Sequence, residues 1–129
     1  MQNILTYFIL NSILVYKCNI MASVYLIGDR EKDGVYKIGV TRGDVNKRIK
    51  KLQTGNCGEI YLISKFETDY PFVLEKMLHN KFFGGKILNE WFSLEFEDVK
   101  NFNNTCSMLQ ENIDALKENY FFQKKYGKK

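Results

Sequence analysis

Apolar and polar positions change period several times along the chain, and each change predicts an element. Two short runs, Val24–Ile27 and Val35–Val40, are rich in β-branched and aromatic residues and flank the polar stretch GDREKDG. That pattern predicts two antiparallel strands joined by a hairpin loop. Thr41-Arg42-Gly43-Asp44 breaks it and offers Asp44 as an N-cap for a helix from Val45 to about Leu52, with Gly55 as its stop signal. Glu59–Phe66 reads as a third strand. Thr68 or Asp69 caps a second helix, Pro71 sits in its first turn, and Gly84-Gly85 ends it. Leu74, Leu78 and Phe82 form the apolar stripe of that helix. Asn89–Leu94 predicts a short turn and strand that brings a large aromatic into the core. From Val99 to Tyr120 apolar residues recur at spacings of three and four, which predicts one long amphipathic helix. The helix either packs on the domain or gives a short two-helix seam for a homodimer; otherwise the chain is a monomer. The expected fold is α/β (α+β): a small, three-stranded, largely antiparallel sheet flanked by helices.

Residues 1–20 are apolar but fit poorly as a targeting or membrane segment. They have no basic leader and no small-residue cleavage site, Asn11 and Ser12 interrupt the run, and Lys17 closes it. A membrane span needs roughly 20 apolar residues. Met21-Ala22 stands just before the first predicted strand. Residues 1–20 are therefore either an extension outside the core or one further strand or helix of it. The core then covers 21–95, and 96–129 adds the C-terminal helix and a basic tail packed on the same domain.

At 129 residues the chain is one domain by length, and its 45% apolar content suits a packed core. The net charge of +4 is mild. Its distribution is more informative: Arg42, Lys47, Arg48, Lys50 and Lys51 cluster on one segment, and the chain ends KKYGKK. Such clusters suit a phosphate backbone; the plainer alternative is a solvated helix face and a frayed tail. Cys18, Cys57 and Cys106 are odd in number and show no zinc spacing, so they read as reduced thiols of an intracellular protein, in cytoplasm or nucleus and not secreted.

Three polar side chains border predicted apolar stripes. At about 100° per residue, Arg48 lies roughly 60° from Val45 and 40° from Leu52, while Lys47 and Lys50 point away. Glu75 and His79, four apart, flank Leu78 and Phe82. A charge held at a core edge needs a partner or a purpose. For Arg48 that is an ion pair or a bound phosphate. For Glu75 it is a salt bridge, with Arg48 as candidate, or a metal ion. For His79 the plain reading is a satisfied edge histidine.

The strand–loop–strand–helix with Ser23-Val24-Tyr25, Tyr36-Lys37-Ile38-Gly39, Arg48, Glu75, His79 and Glu90-Trp91-Phe92 resembles the GIY-YIG endonuclease superfamily over about residues 23–95. The YKIG form is similar to a branch common in phages and large DNA viruses. The resemblance implies a divalent-metal-dependent DNA endonuclease. It gives Glu75 as ligand of Mg²⁺ (or Mn²⁺) and Arg48 as the group on the scissile phosphate. Tyr25 would activate water, Tyr36 would orient water or phosphate, and His79 would be a second ligand or proton carrier. One carboxylate suffices for Mg²⁺, which keeps several waters, and a guanidinium engages two phosphate oxygens at once. A free phenol has a pKa of about 10, so Tyr25 would need nearby positive charge to act as a base. Lys37, Arg42, Lys47, Lys50 and Lys51 would contact DNA, although strand alternation sets Lys37 on the opposite side from Tyr36. The alternative is a nucleic-acid-binding module that keeps the fold without cutting.

Overall fold

The computed structural model describes residues 22–126, so the proposed extension over 1–20 and the last three residues lie outside the described residues. Strand β1 (Ser23–Asp29) is buried along its whole length. It pairs antiparallel with β2 (Lys32–Thr41) on one side and β3 (Ile60–Glu67) on the other. Two short strands, β4 (Lys86–Leu88) and β5 (Trp91–Ser93), extend the sheet beyond β2, giving the order β3-β1-β2-β5-β4. The sheet thus has five strands and not the expected three. Of the two added strands, β5 falls within the turn and strand expected over Asn89–Leu94, and a three-residue β4 is too short to leave a period-two signature.

The hairpin loop is also shorter than GDREKDG suggests. The strands run on until only Arg30 and Glu31 remain between them. Asp29 Oδ1 accepts from Glu31 N at 2.9 Å, closing the turn. The register slips between Gly28 and Asp29, and Gly34 in the opposite strand takes φ 73°, where glycine carries no Cβ penalty.

Helix α1 (Val45–Gln53) begins as expected, with the Asp44 carboxylate accepting from Asn46 N at 2.9 Å. Helix α2 (Pro71–Lys81) has Pro71 in its first turn. Its N-cap residue is Tyr70, not Thr68 or Asp69; the Thr68 hydroxyl accepts from Tyr70 N and donates to Gln110 Oε1 at 2.6 Å. A 3₁₀ turn at Phe83–Gly85 leads into β4. The expected single C-terminal helix is three: α3 (Phe96–Lys100), α4 (Phe102–Leu116) and α5 (Tyr120–Tyr126). Asn101 leaves helical geometry at φ −98°, ψ 14°, and the Asn119 side chain accepts from Phe121 N at 2.9 Å to start α5 afresh.

Strand alternation gives the sheet two covered faces. Val24, Leu26 and Ile38 point into the main core, formed with Leu74 and Leu78 of α2, Phe92, and Phe102, Cys106 and Ile113 of α4. Tyr25 and Ile27 point the other way, onto Val45, Ile49 and Leu52 of α1 and Ile60 of β3. Phe92 is the large aromatic that this stretch brings into the core, while Trp91 stays half-buried on the α1 side.

Candidate active site

The site forms on the α1 face of the sheet, around the Tyr25 hydroxyl. Tyr25 is opposite Gly39 in β2, and its ring lies across that glycine; a Cβ at position 39 would overlap the Tyr25 hydroxyl. Gly39 therefore provides the space the phenol occupies. Tyr25 is fully buried, and its hydroxyl has no polar neighbour of good hydrogen-bond geometry among the described residues, only a loose approach of the Arg48 side chain, whose own buried Nε has no partner. The Arg48 guanidinium stands beside that hydroxyl and draws its pKa down. Burial outweighs this, and the charges of Glu90 and Glu75 add to it, so the phenol titrates above its ordinary value. The cation is in place, but as it stands the environment leaves less of Tyr25 as phenolate at neutral pH than a free phenol would have.

Glu75 on α2 is half-buried, and its pKa is pushed up to about 7, first by burial and then by the charge of Glu90, against the pull of Lys37. Neither Glu75 nor Arg48 makes an ion pair among the described residues. Lys37 and Glu90 do pair with each other, Nζ to Oε2 at 3.3 Å. Glu90 follows Asn89, which adopts φ 54° in the two-residue turn between β4 and β5, a conformation asparagine tolerates.

Tyr25, Arg48 and Glu75 thus share one electrostatic neighbourhood, and Lys37 and Glu90 join it. Tyr36 does not. It pairs with Gly28 and Phe92 and packs against the main core, on the sheet face opposite Tyr25. Lys37 pairs with Ile27 and Trp91 and holds the place on the α1 face. The extra residue in YKIG is what turns tyrosine inward and lysine toward the site. His79 has a supporting position. Strand β2 runs on past β5, and His79 Nε2 donates to the Ile38 carbonyl at 3.1 Å, with its ring 4.9 Å from that of Phe92.

Of the expected phosphate-binding cations, Lys47 and Lys51 line a hollow along α1 together with Arg48, Thr41, Gly43 and Asp44. Lys50 is exposed and lines neither this hollow nor the one beyond it. The Arg42 guanidinium lies 5.3 Å over the Phe72 ring. Glu90 was not among the expected site residues; its signal was its place beside Trp91-Phe92, which fixes the β5 register.

No group of three or more His, Cys, Asp or Glu among the described residues is placed to hold a metal ion. The carboxyls of Glu75 and Glu90 are the available donors. Mg²⁺ and Mn²⁺ take oxygen ligands, and Mg²⁺ is commonly held by one or two carboxylates plus waters and substrate phosphate, so this donor set fits them. It lacks the nitrogen and sulfur ligands of a closed zinc site.

The sequence profile of the T5orf172 domain matches residues 22–107. Neither a curated protein nor a solved structure matches the chain. No helix among the described residues is long and apolar enough to cross a membrane.

Proposed function

The chain belongs to the T5orf172 domain family, and from that premise we propose that it is a divalent-metal-dependent endonuclease, similar to the GIY-YIG enzymes, that hydrolyses phosphodiester bonds in DNA. One observation carries the reading: the buried Tyr25 hydroxyl and Arg48 Nε lie in one neighbourhood, neither in a well-formed hydrogen bond, beside a Glu75 carboxyl whose proton is held to about pH 7. A fold does not leave two buried polar atoms unsatisfied without cost, about 1–3 kcal/mol each. A phosphate oxygen and an attacking water are the groups that would satisfy them.

In this reading Arg48 binds and orients the scissile phosphate and offsets charge as the phosphorane-like transition state forms. Glu75 and Glu90 would hold the cation, which when bound supplies the positive charge that activates water and steadies the leaving oxygen. The Tyr25 hydroxyl positions the water. The two carboxylates that raise its pKa are also the groups whose charge a cation would offset. Lys37 holds Glu90 in place through their ion pair.

The test is incubation of purified protein with supercoiled plasmid in Mg²⁺, Mn²⁺ or EDTA. Nicked or linear product with metal and none in EDTA is the expected result. Cutting in EDTA would remove the metal from the scheme. Binding with no cutting under either metal would identify a module that keeps the fold and does not cut.

A further inference from the structure

A second hollow opens on the same face, beyond the first. It holds about 320 Å³ and is lined by Lys37, Lys51, Thr54, Gly55, Asn56 and Trp91, among others. Lys51 borders both hollows, which therefore run along one side of α1. That helix of nine residues spans roughly 13 Å. The path starts among Lys47 and Arg48 and ends at the half-buried ring of Trp91, which pairs across the sheet with Lys37. Lys32 Nζ adds a further cation 5.7 Å from the Trp91 ring centroid.

We propose that this hollow is a binding site for one unpaired nucleobase, stacked on Trp91 while Lys51 and Lys32 hold the flanking phosphates. The proposal rests on the nuclease reading for its purpose, and it narrows the substrate class to DNA with a single-stranded or splayed base next to the cut. Two features of the hollow lead here. Its cations suit a polyanion, and its aromatic ring offers a π-face that a base inside a duplex stack cannot reach. The polar side chains around the ring are already engaged. Asn56 Nδ2 donates to Asp29 Oδ2 at 2.9 Å and Gly58 O at 2.7 Å, and Thr54 Oγ1 donates to Lys51 O at 2.6 Å. With those donors committed, the site takes a base by stacking and is tolerant of which base it is.

Trp91 is the sole tryptophan of the chain, so its emission reports the site directly. Titration is done in EDTA, where cutting is not read, with three fluorescein-labelled probes of equal length: oligothymidylate, a strand of abasic residues, and a blunt duplex. Fluorescein anisotropy reports binding, and tryptophan emission reports stacking. Saturable quenching by oligothymidylate, with the abasic strand and duplex binding without quenching, is the expected result. Trp91→Ala should weaken oligothymidylate binding roughly ten-fold or more, and Trp91→Phe only slightly. The proposal is overturned by equal quenching with the abasic strand, by binding of oligothymidylate without quenching, or by no binding of it at all. Quenching with no plasmid cutting in metal would sink the nuclease reading and leave the base site standing.

Discussion

Glu75 lowers stability where it stands, and Tyr25 and Arg48 each bury a polar atom without a well-formed hydrogen bond, which separates the three from ordinary core-edge residues. The Glu75 pKa is raised in the fold to about 7 from a carboxylate's 4.5. Between those values the folded state holds more protons than the unfolded, so stability falls as pH rises through that window. Above it the shift corresponds to about 3 kcal/mol, which solvent screening of this half-exposed carboxyl cuts to on the order of 2 kcal/mol. Glu75→Gln should therefore raise the melting temperature at pH 8 and leave it nearly unchanged at pH 4, by calorimetry. The same variant should lose cutting by a hundred-fold or so, with DNA affinity within a few-fold, because the amide keeps the shape and loses the charge. Wild-type cutting should rise with pH through about 7 as Glu75 ionises, and a profile flat from pH 6 to 8 would remove Glu75 from the metal site. Tyr25→Phe deletes a buried hydroxyl that makes no well-formed hydrogen bond. It should leave stability equal or higher while abolishing cutting; a large loss of melting temperature would show that the hydroxyl is structural.

Elements explain why some of this was legible in the sequence and some was not. The α1 stripe, its Asp44 cap and the Arg48 border position follow from a 3.6-residue period, which needs no knowledge of neighbours. The site face of β2 is different, because alternation alone leaves open whether Tyr36 or Lys37 shares a face with Tyr25. Only the pairing of Tyr25 with Gly39 decides for Lys37. The divided C-terminal helix stayed hidden because Asn101 and Asn119 interrupt the backbone without upsetting the three-four spacing, which runs across them from Val99 to Phe102 and from Leu116 to Tyr120. Two element-level outcomes follow. Gly39→Ala forces a Cβ into the Tyr25 ring and should cost about 1–3 kcal/mol, with cutting lost because the phenol is displaced. His79→Ala exposes the Ile38 carbonyl at the β2 edge and should cost about 1 kcal/mol in urea unfolding.

At the scale of the whole molecule the two faces of the sheet divide the work. The α2–α4 face carries the larger apolar core. The α1 face has a smaller cluster, and beside it the polar site and both basic hollows. With a net charge of only +4, the proposed DNA affinity should depend on where the cations stand more than on their sum. Anisotropy across a salt series should show Lys47→Ala and Lys51→Ala each flattening the log–log slope by about one. Lys50→Ala should change it little, since that side chain lies off the path. Equal effects at all three positions would mean that binding is diffuse along the helix.

The β4–β5 hairpin meets the rest of the sheet through three residue pairs, Val35–Ser93, Tyr36–Phe92 and Lys37–Trp91, whereas β1 is hydrogen-bonded on both sides along its length. Opening energies differ accordingly across one sheet. Amide protons of residues 24–27 should exchange only when the whole molecule unfolds, and those at the β4 edge through local detachment. The hairpin carries Glu90 and Trp91, so breathing of this small unit would loosen one carboxylate and the tryptophan face together while Tyr25 stays fixed. Nucleic acid bound across it should slow exchange at 86–93 and leave β1 unchanged.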